Sequence, residues 1–351
     1  SKNTFTYELA NGATAGNYNI TTVEGNLTVT KNANTIVITA ASDSKTYDGS
    51  PLTNNGYTYT EGVLASGDVL TATVEGTITD FGTAKNEVTG YKVMNGGEDV
   101  TDNYTFGNSV DGTLSITKKT VVLTSGDGEK AYDGTALTNN TVTAEGFVGN
   151  DGAEYDVTGS QTDVGSSDNN FTYELKAGTK ADNYDIRKVK GTLTVTKKEA
   201  PIVITAGSAT KTYDGTALTK DAYTYTDGVL VNGDILTATV EGSIKNAGTA
   251  ANQVTSYKVM RCGTDVTGNY TFGAPVAGTL TVNKRNVTIV SASAEKTYDG
   301  TALTKKEVTA TNFADGEGIT YNVTGSQTDL GTSDNTFTYE LKANTKADNY
   351  N

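Results

Sequence analysis

The sequence predicts an all-β chain of tandem small β-sandwich domains, arranged end to end as an elongated rod. Three observations carry this prediction. Only 35% of the 351 residues are hydrophobic and 19% are charged, so Thr, Gly, Asn and Ser fill the balance; Thr suits strands, and Gly and Asn suit turns. Apolar residues alternate with a period of two, and no window has a helical stripe. Short motifs also recur at a fixed spacing, which indicates a repeat architecture.

Two independent markers define the repeat. Tyr-Asp-Gly occurs four times, and a longer step between its tyrosines alternates with a shorter one. These tyrosines are Tyr47, Tyr132, Tyr213 and Tyr298. Asn-Tyr occurs five times with the same alternation of steps, at Tyr18, Tyr104, Tyr184, Tyr270 and Tyr350. Both markers therefore give the same two-part period, which is about 166 residues long.

The period divides the chain into a long unit, A, and a short unit, B. Segments 68–76 and 234–242 support this division, because they differ by one conservative change. The predicted domains are 1–31 (the C-terminal part of a B-type repeat), 32–118 (A-type), 119–198 (B-type), 199–284 (A-type) and 285–351 (a B-type repeat lacking its last strand). We name the last four A1, B1, A2 and B2.

Each unit is expected to hold six or seven strands and almost no helix. Apolar residues alternate in runs such as 70–74 and 278–282, and Gly, Asn and Asp clusters separate the runs at hairpin-like intervals. Units of about 80 residues with so many strands indicate a small two-sheet sandwich. In A2 the predicted strands are 202–206, 217–219, 223–226, 235–241, 254–260, 270–272 and 278–282.

One local feature favours an immunoglobulin-like sandwich. Segment 175–184 ends in Tyr184 and resembles a tyrosine corner. In that motif the hydroxyl of a Tyr near the start of a late strand forms a hydrogen bond with the backbone upstream. The same Tyr recurs in all five copies, which suits a structural role. The alternative is a β-grasp-like, mostly-β repeat, but that fold needs a helix for which the sequence has no pattern.

The units meet at short basic joints, and a strand-like run resumes two or three residues later. The joints are Lys31, Lys118-Lys119, Lys197-Lys198 and Lys284-Arg285. They contain no Gly/Ser-rich or Pro-rich stretch of the kind that behaves as a flexible linker, so consecutive units should stack stiffly. The paired basic residues are either solvated loop residues or form salt bridges to the acidic body of the next unit.

Composition excludes most enzyme classes. The chain contains no His and a single Cys, so it has no His-based triad, no His metal site and no thiolate zinc cage. Its formal net charge of −14 disfavours nucleic acid and anionic membranes as partners. No apolar run is long enough to span a bilayer, so we expect no membrane insertion.

The repeated motifs resemble a known class of surface proteins. Lys-Thr-Tyr-Asp-Gly-Thr-Ala-Leu-Thr at 211–219 and 296–304, and Gly-Thr-Leu-Thr-Val-Thr-Lys at 191–197, are similar to the YDG-type or MBG-type tandem repeats of large bacterial cell-surface adhesins. The resemblance covers nearly the whole chain and says little about a ligand. It implies an extracellular polypeptide of the bacterial cell surface, in which tandem β-domains form a stalk or an adhesive surface.

The acidic motifs have a structural and a functional interpretation. Asp48-Gly49 and its three counterparts are interpreted as tight turns, in which Asp caps the backbone and Gly takes a positive φ. Calcium needs six to eight oxygen ligands, and none of the acidic loops has the spacing of a known calcium loop. These loops contain Asp127, Glu129, Asp163, Asp168, Asp315 and Glu317. We therefore name no catalytic, cofactor-binding or metal-binding residue, and the binding residues stay unknown.

The single Cys and the aromatic residues are interpreted as structural, and one type of covalent crosslink stays open. Cys262 has Gly96 as its counterpart one period earlier, so the fold does not require it. The Tyr and Phe residues sit mostly at alternating strand positions, where core packing is the default. Intramolecular Lys–Asn crosslinks are an open alternative, with an Asp such as Asp48 as the catalytic acid. They would join Lys45, Lys130, Lys211 or Lys296 to Asn103, Asn183, Asn269 or Asn349.

The two ends of the sequence suggest a separate hypothesis. Residues 20–31 repeat the closing part of a B unit, including the run 25–29, whereas B2 has no copy of the run that B1 carries at 191–196. The N-terminal strand of one chain is therefore able to complete the C-terminal unit of the next. The other explanation is that the chain is a window of a longer repeat array.

Together these observations predict a non-enzymatic extracellular stalk or adhesin segment, which projects or presents an adhesive surface through stiff tandem domains. The alternatives are a self-assembling fibre subunit that uses head-to-tail strand donation, and adhesin repeats that bind a glycan or a host protein. The expected partners are neighbouring repeats of the same or an adjacent chain and, for the adhesin, a host glycan or protein. No cofactor is expected.

Overall fold

The computed structural model describes residues 1–351, and it is all-β. Strands contain 48% of the residues, and the only helices are five 3₁₀ turns of three residues each. Each turn ends on the Asn of an Asn-Tyr motif: Ala15–Asn17, Thr101–Asn103, Ala181–Asn183, Thr267–Asn269 and Ala347–Asn349. The predicted β class and the near absence of helix are confirmed.

The chain forms two compact units. The first unit contains Ser1–Ser125, Asn140–Val157 and Phe171–Lys190. The second contains Gly126–Asn139, Thr158–Asn170 and Gly191–Asn351. The division falls inside residues 119–198, so the compact units and the sequence repeats divide the chain differently.

The first unit opens with a short hairpin and continues into A1. The hairpin pairs β1 (Lys2–Asn3) with β2 (Gly25–Asn26). The strands of A1 are β3 (Thr35–Ile36), β4 (Ile38–Ala40), β5 (Asp43–Thr46), β6 (Tyr57–Tyr59), β7 (Val69–Glu75), β8 (Gly82–Asn95), β9 (Glu98–Asp99), β10 (Thr105–Phe106) and β11 (Gly112–Thr117).

In A1 the first strands pair in parallel with the last ones. The main sheet has the order β5-β11-β8-β7, in which β5 and β11 are parallel and β9 pairs with the end of β8. β3 runs parallel to β10, and β4 is antiparallel to β6. The buried core cluster consists of Ile36, Ile38, Val63, Leu70, Val93 and Tyr104. Ile36 and Ile38 lie two residues apart, which is the period-two pattern of the sequence.

The strands of B1 are distributed over both units. They are β12 (Lys119–Ser125), β13 (Gly128–Ala131), β14 (Val142–Glu145), β15 (Ala153–Val157), β16 (Gly165–Asn169), β17 (Phe171–Leu175), β18 (Tyr184–Val189) and β19 (Gly191–Thr196). The first unit holds the sheet β14-β12-β18 and the pair β15-β17. The second unit holds the sheet β13-β19-β16, in which β19 is parallel to β13 and antiparallel to β16.

A2 lies in the second unit and repeats the strand pairing of A1. Its strands are β20 (Lys198–Ile202), β21 (Ile204–Ala206), β22 (Ala209–Thr212), β23 (Tyr223–Tyr225), β24 (Asp234–Glu241), β25 (Gly248–Arg261), β26 (Thr264–Asp265), β27 (Tyr270–Phe272) and β28 (Gly278–Asn283). The main sheet has the order β22-β28-β25-β24. B2 contributes two antiparallel pairs, β29 (Thr288–Ser291) with β30 (Val308–Thr311), and β31 (Ile319–Val323) with β32 (Phe337–Leu341).

The closing strand of each A repeat shows why the sequence keeps Gly at its start. A Cβ on Gly112 would overlap the carbonyl of Ala41, and one on Gly278 would overlap that of Gly207. Leu114 and Leu280, two residues further along, are fully buried. The Gly-Xaa-Leu pattern thus combines a close backbone approach with an inward-facing apolar side chain.

Candidate functional site at the repeat junctions

Each Tyr-Asp-Gly motif is a tight turn closed by a lysine. In A1, Asp48 Oδ1 accepts hydrogen bonds from the Ser50 N–H (2.9 Å) and from Lys45 Nζ (2.8 Å). These bonds, led by that of Lys45, hold the pKa of Asp48 well below its usual range. The glycines of all four turns have φ values of 74–81°, at Gly49, Gly134, Gly215 and Gly300. The predicted turn is confirmed.

The tyrosine of each of the first three turns lies edge-on against the Asn-Tyr tyrosine of the following repeat. The ring centroids are 5.4–5.6 Å apart with interplanar angles of 79–87° in three pairs: Tyr47 with Tyr184, Tyr132 with Tyr270, and Tyr213 with Tyr350. This edge-to-face geometry contributes about 0.5–1.5 kcal/mol beyond the burial of apolar area. The two sequence markers are therefore the two halves of one contact between successive repeats.

At the A1–B1 junction a carboxylate holds the second tyrosine. The Tyr184 hydroxyl donates to Asp151 Oδ2 (2.5 Å) and accepts from the Val148 N–H (3.1 Å). Burial raises the pKa of Tyr184, and the bond to Asp151 adds to the shift. Tyr47 and Phe147 pack against the same ring. The aromatic core of this part of B1 thus includes a side chain of A1.

The contact at Tyr184 differs from the predicted tyrosine corner. Its backbone partner, Val148, lies 36 residues upstream in the loop after β14, whereas a tyrosine corner bonds backbone a few residues away. The same long-range bond joins Tyr104 to Ala65, Tyr270 to Val231 and Tyr350 to Ala314. The Asn-Tyr tyrosine therefore forms part of the surface that contacts the preceding repeat. Its hydrogen bond is not that of a tyrosine corner and does not support an immunoglobulin-like fold.

The B1–A2 junction is centred on Asp234, whose side chain is fully buried. Its carboxylate accepts from Tyr270 and, at 3.3 Å, from Tyr132. Arg261 Nε donates to the other carboxylate oxygen at 2.5 Å, and Arg261 Nη1 donates to the carbonyl of Gly134 at 2.6 Å. The guanidinium thus binds the turn of B1 and a carboxylate of A2 together, with charge-assisted hydrogen bonds.

At the A2–B2 junction one glutamate bridges both tyrosines. Glu317 Oε1 accepts from Tyr213, and Glu317 Oε2 accepts from Tyr350 at 2.8 Å. Burial, reinforced by the bond to Glu317, raises the pKa of Tyr213 to about 12. Tyr213 and Tyr350 share one cluster with Val282 and Ala314, so the buried core continues from A2 into B2.

A buried asparagine makes a second bridge at every junction. It is the Asn of Asn-Tyr, and its Oδ1 accepts a backbone N–H of the preceding repeat: Asn183 from Phe81 (2.7 Å), Asn269 from Val164 (2.8 Å) and Asn349 from Ala247 (2.8 Å). Its Nδ2 donates to Asp80, Asp163 and Asn246 respectively. An amide suits this place because it both donates and accepts.

Two residues of the basic joints, Lys118 and Arg285, make contacts other than the salt bridges considered in the sequence analysis. Lys118 Nζ lies 4.9 Å from the centroid of the Phe81 ring, and Arg285 donates to the carbonyl of Tyr213 at 3.4 Å. The ion pair across the A1–B1 junction comes from Lys180, whose Nζ lies 2.6 Å from Asp80 Oδ2. Both side chains of that pair are about half exposed, so its contribution to stability is small.

The acidic residues considered as calcium ligands serve other partners. Asp127 accepts from the Thr192 N–H at 2.7 Å, Asp163 accepts from Asn269, and Glu317 accepts from two tyrosines. The carbonyl of Asp168 accepts from the Asn170 N–H. Glu129 and Asp315 are exposed. No group of three or more Asp, Glu, His or Cys side chains is arranged to hold a metal ion.

The structure does not bring together the Lys and Asn residues of the crosslink alternative. The four lysines donate to the Asp of their own turn at 2.6–2.8 Å, in the pairs Lys45–Asp48, Lys130–Asp133, Lys211–Asp214 and Lys296–Asp299. Three of the four asparagines, Asn183, Asn269 and Asn349, bridge the junctions instead. Cys262 is exposed, with a φ of 46° in a hairpin where its counterpart Gly96 has 55°.

Sequence reasoning found the tyrosines but missed their carboxylate partners. Asp151 and Glu317 lie in loops that resemble ordinary turns, and Asp234 is the first residue of β24. A signal was nevertheless present, because the acid precedes its tyrosine by 36 residues in A2 and by 33 in both B repeats.

No protein-family model matches the chain, and no curated protein is significantly similar to it. No helix has the length and hydropathy that crossing a bilayer requires.

Proposed function

We propose that the chain is a non-enzymatic extracellular stalk or adhesin segment of a bacterial surface protein, which projects or presents an adhesive surface through stiff tandem β-domains. One observation carries the proposal. Three successive junctions are joined by the same tyrosine pair and the same asparagine bridge. A chain whose repeats only needed to be tethered would not require a repeated, buried contact at each joint.

The junctions support stiffness because they resist bending at two separate points. The tyrosine pair lies in a buried apolar cluster, and the asparagine bonds the backbone of the preceding repeat beside it. Bending would expose the tyrosine rings and break the hydrogen bond between the asparagine side chain and the backbone N–H. An unpaired buried polar group alone costs about 1–3 kcal/mol. This resistance favours repeats stacked end to end as a rod.

We further propose that each repeat is an immunoglobulin-like sandwich. The A repeats enclose a core between the sheet β5-β11-β8-β7 and the pairs β3-β10 and β4-β6. The helices are only three residues long, which favours the sandwich over a β-grasp-like repeat. Solving one A–B pair experimentally and comparing its strand order with both folds would decide between them.

Small-angle X-ray scattering of the full chain tests the stalk. Strands of about ten residues at ~3.3 Å each span about 33 Å. With the loops at its ends a repeat is then about 35–40 Å long, so a rod of four repeats and residues 1–31 should reach about 150–200 Å. Replacing Asn183, Asn269 and Asn349 together by Ala should make the scattering that of a flexible chain. Asn103→Ala is the matched control and should change nothing at low concentration. A compact particle, or a triple variant as stiff as the parent, would contradict the proposal.

Adhesion itself needs a separate measurement. The full chain is tested for saturable binding to immobilised glycans and host matrix proteins, with the triple asparagine variant beside it. If the repeats only project another surface, neither protein should bind. Saturable binding by both proteins would support the alternative, in which the repeats contact a ligand directly, and would contradict a purely mechanical role.

A further inference from the structure

In A1, B1 and A2 the strands near the start of the repeat pair in parallel with strands near its end. These pairs are β5 with β11 in A1 and β22 with β28 in A2. B1 has two such pairs, β12 with β18 and β13 with β19. The chain therefore enters each ladder of hydrogen bonds at one end and leaves it at the opposite end.

This arrangement determines how a pulling force acts on the ladder. A force along the chain draws the two parallel strands past each other, so it loads all the hydrogen bonds of the ladder at once, in shear. In an antiparallel pair the chain would enter and leave at the same end, and the bonds would break one after another. A parallel ladder in this position therefore resists a force that would peel an antiparallel pair open.

The ladder of β12 and β18 has the most pairs and is protected from water on one face. It contains six residue pairs, whereas β5 with β11 and β22 with β28 contain four each. Val121 and Leu123 of β12 are fully buried. A ladder bond broken beside them is not readily replaced by a bond to water, which raises the cost of breaking it.

A side chain adds a further hydrogen bond to the ladder beside β19. Asp127 Oδ1 accepts from the Thr192 N–H at 2.7 Å, directly before the first pair of β13 and β19. The A repeats have a serine at the equivalent position: Ser42 Oγ accepts from the Thr113 N–H at 2.9 Å, and Ser208 Oγ from the Thr279 N–H at 3.0 Å. In all three repeats a polar side chain therefore extends the ladder by one bond.

The tyrosine of the Tyr-Asp-Gly turn closes the ladder at the other end. Its backbone N–H donates to the carbonyl that ends the closing strand: Tyr47 to Thr117 (2.9 Å), Tyr132 to Thr196 (2.9 Å) and Tyr213 to Asn283 (2.8 Å). The ring of the same tyrosine packs against the next repeat. One residue thus joins the end of each ladder to the junction that follows it.

We propose that this chain bears tensile load, and that the parallel ladders are the parts that resist it. A stalk between an anchored end and an attached surface is pulled along its length, so the origin of the force rests on the function proposed above. The resistance itself depends only on the ladders. A repeat held in this way keeps its fold while the chain is under tension.

Single-molecule force spectroscopy of the full chain compares two directions of pull on one ladder. Thr120→Cys on β12 carries one handle, and either Val189→Cys or Asp185→Cys on β18 carries the other. The handles are coupled under reducing conditions, and Cys262→Gly removes the natural thiol. All three handle sites are exposed. Val189 lies at the far end of β18, so this pair shears the ladder, whereas Asp185 pairs directly with Thr120 and its handle peels the ladder open.

Unfolding at a fixed force should be much slower in the shear direction. One hydrogen bond is worth roughly two- to tenfold in rate. Because several bonds must break together in shear, the sheared ladder should unfold at least about a hundredfold more slowly than the peeled one.

Asp127→Ala tests the added side-chain bond, with handles at Thr120 and Lys197 so that the pull spans B1. Asp156→Ala is the matched control, because it removes the same charge from an exposed position of the antiparallel pair β15-β17. At a fixed force Asp127→Ala should speed unfolding about two- to tenfold. Asp156→Ala should leave the rate nearly unchanged.

Two results would overturn the inference. One is an equal unfolding rate for the sheared and the peeled ladder. The other is an equal effect of Asp127→Ala and Asp156→Ala, since the added bond would then carry no load. Failure of the stalk proposal looks different: a chain that scatters as a flexible one, but whose ladder still unfolds slowly in shear, would contradict the stalk and leave the load-bearing ladders intact.

Discussion

The sharpest test of the junctions is the replacement of a single buried amide, Asn269→Ala. Asn269 Oδ1 accepts from the Val164 N–H at 2.8 Å, and its Nδ2 donates to Asp163 Oδ1 at 2.8 Å. Its side chain is almost fully buried, so water cannot replace these bonds unless the junction opens. The variant therefore removes both polar links of this bridge and leaves the packed tyrosines in place.

The expected loss follows from what remains unpaired. A partly buried backbone donor without a partner costs about 1–3 kcal/mol, and Val164 would become such a donor. For a unit of this size each kcal/mol lowers Tm by about 2–4 °C. Asn269→Ala should accordingly lower Tm by several degrees.

The control is the same motif position in A1. Asn103 is exposed and has no repeat seated against it in the single chain, so Asn103→Ala should leave Tm unchanged at concentrations where the chain is monomeric. Differential scanning calorimetry and urea unfolding of both variants measure the difference. Equal losses in the two variants would refute the reasoning, because the amide would then act inside its own repeat.

Three further predictions concern the turns and the hairpin. Gly134→Ala and Gly300→Ala both place Ala at a φ of 74–78°, but only at Gly134 would the new Cβ overlap Arg261; urea unfolding should show a loss of about 1 kcal/mol for Gly300→Ala and about 3 kcal/mol for Gly134→Ala. The pKa of Tyr213 rises from 10.0 to about 12 on folding. The protonated hydroxyl therefore adds about 2–3 kcal/mol to the free energy of unfolding below pH 10, and this contribution is lost as the pH rises to 12. The stability difference between the parent and Tyr213→Phe should shrink over that range, and a constant difference would contradict the assignment. Cys262→Gly should stabilise the chain by about 0.5–1 kcal/mol, because φ is 46° at this position.

The strands could be predicted where apolar residues mark them. In A2 the expected runs 278–282 and 235–241 are β28 and β24, each with one added residue. The run 254–260 is only the second half of β25, which begins at Gly248 because Thr249, Ala250 and Ala251 pair with β28 without an apolar signal. β22, Ala209–Thr212, was not predicted either, because its residues have no apolar alternation, although it pairs in parallel with β28.

The junctions could be predicted only in part. The sequence shows that both tyrosine motifs recur with one period, and it supports a turn for one of them. It does not show that they meet, because Tyr132 and Tyr270 lie in different repeats and no local pattern links a turn to a distant loop. The run 217–219 was expected to form a strand, but there Leu218 makes only an isolated bridge to Ile244.

The two repeat types differ in the contact between the Asn-Tyr tyrosine and its carboxylate. The turns of the A and B repeats have the same Lys–Asp geometry, so the turns do not distinguish the two repeat types. The tyrosine–carboxylate contact does, since the acid lies 36 residues before its tyrosine in A and 33 before it in B, where Asp151 and Glu317 take the place of Asp234. Loop length and carboxylate position therefore alternate along the chain, while the closing strands keep one pattern. The alternation therefore belongs to the contacts between repeats.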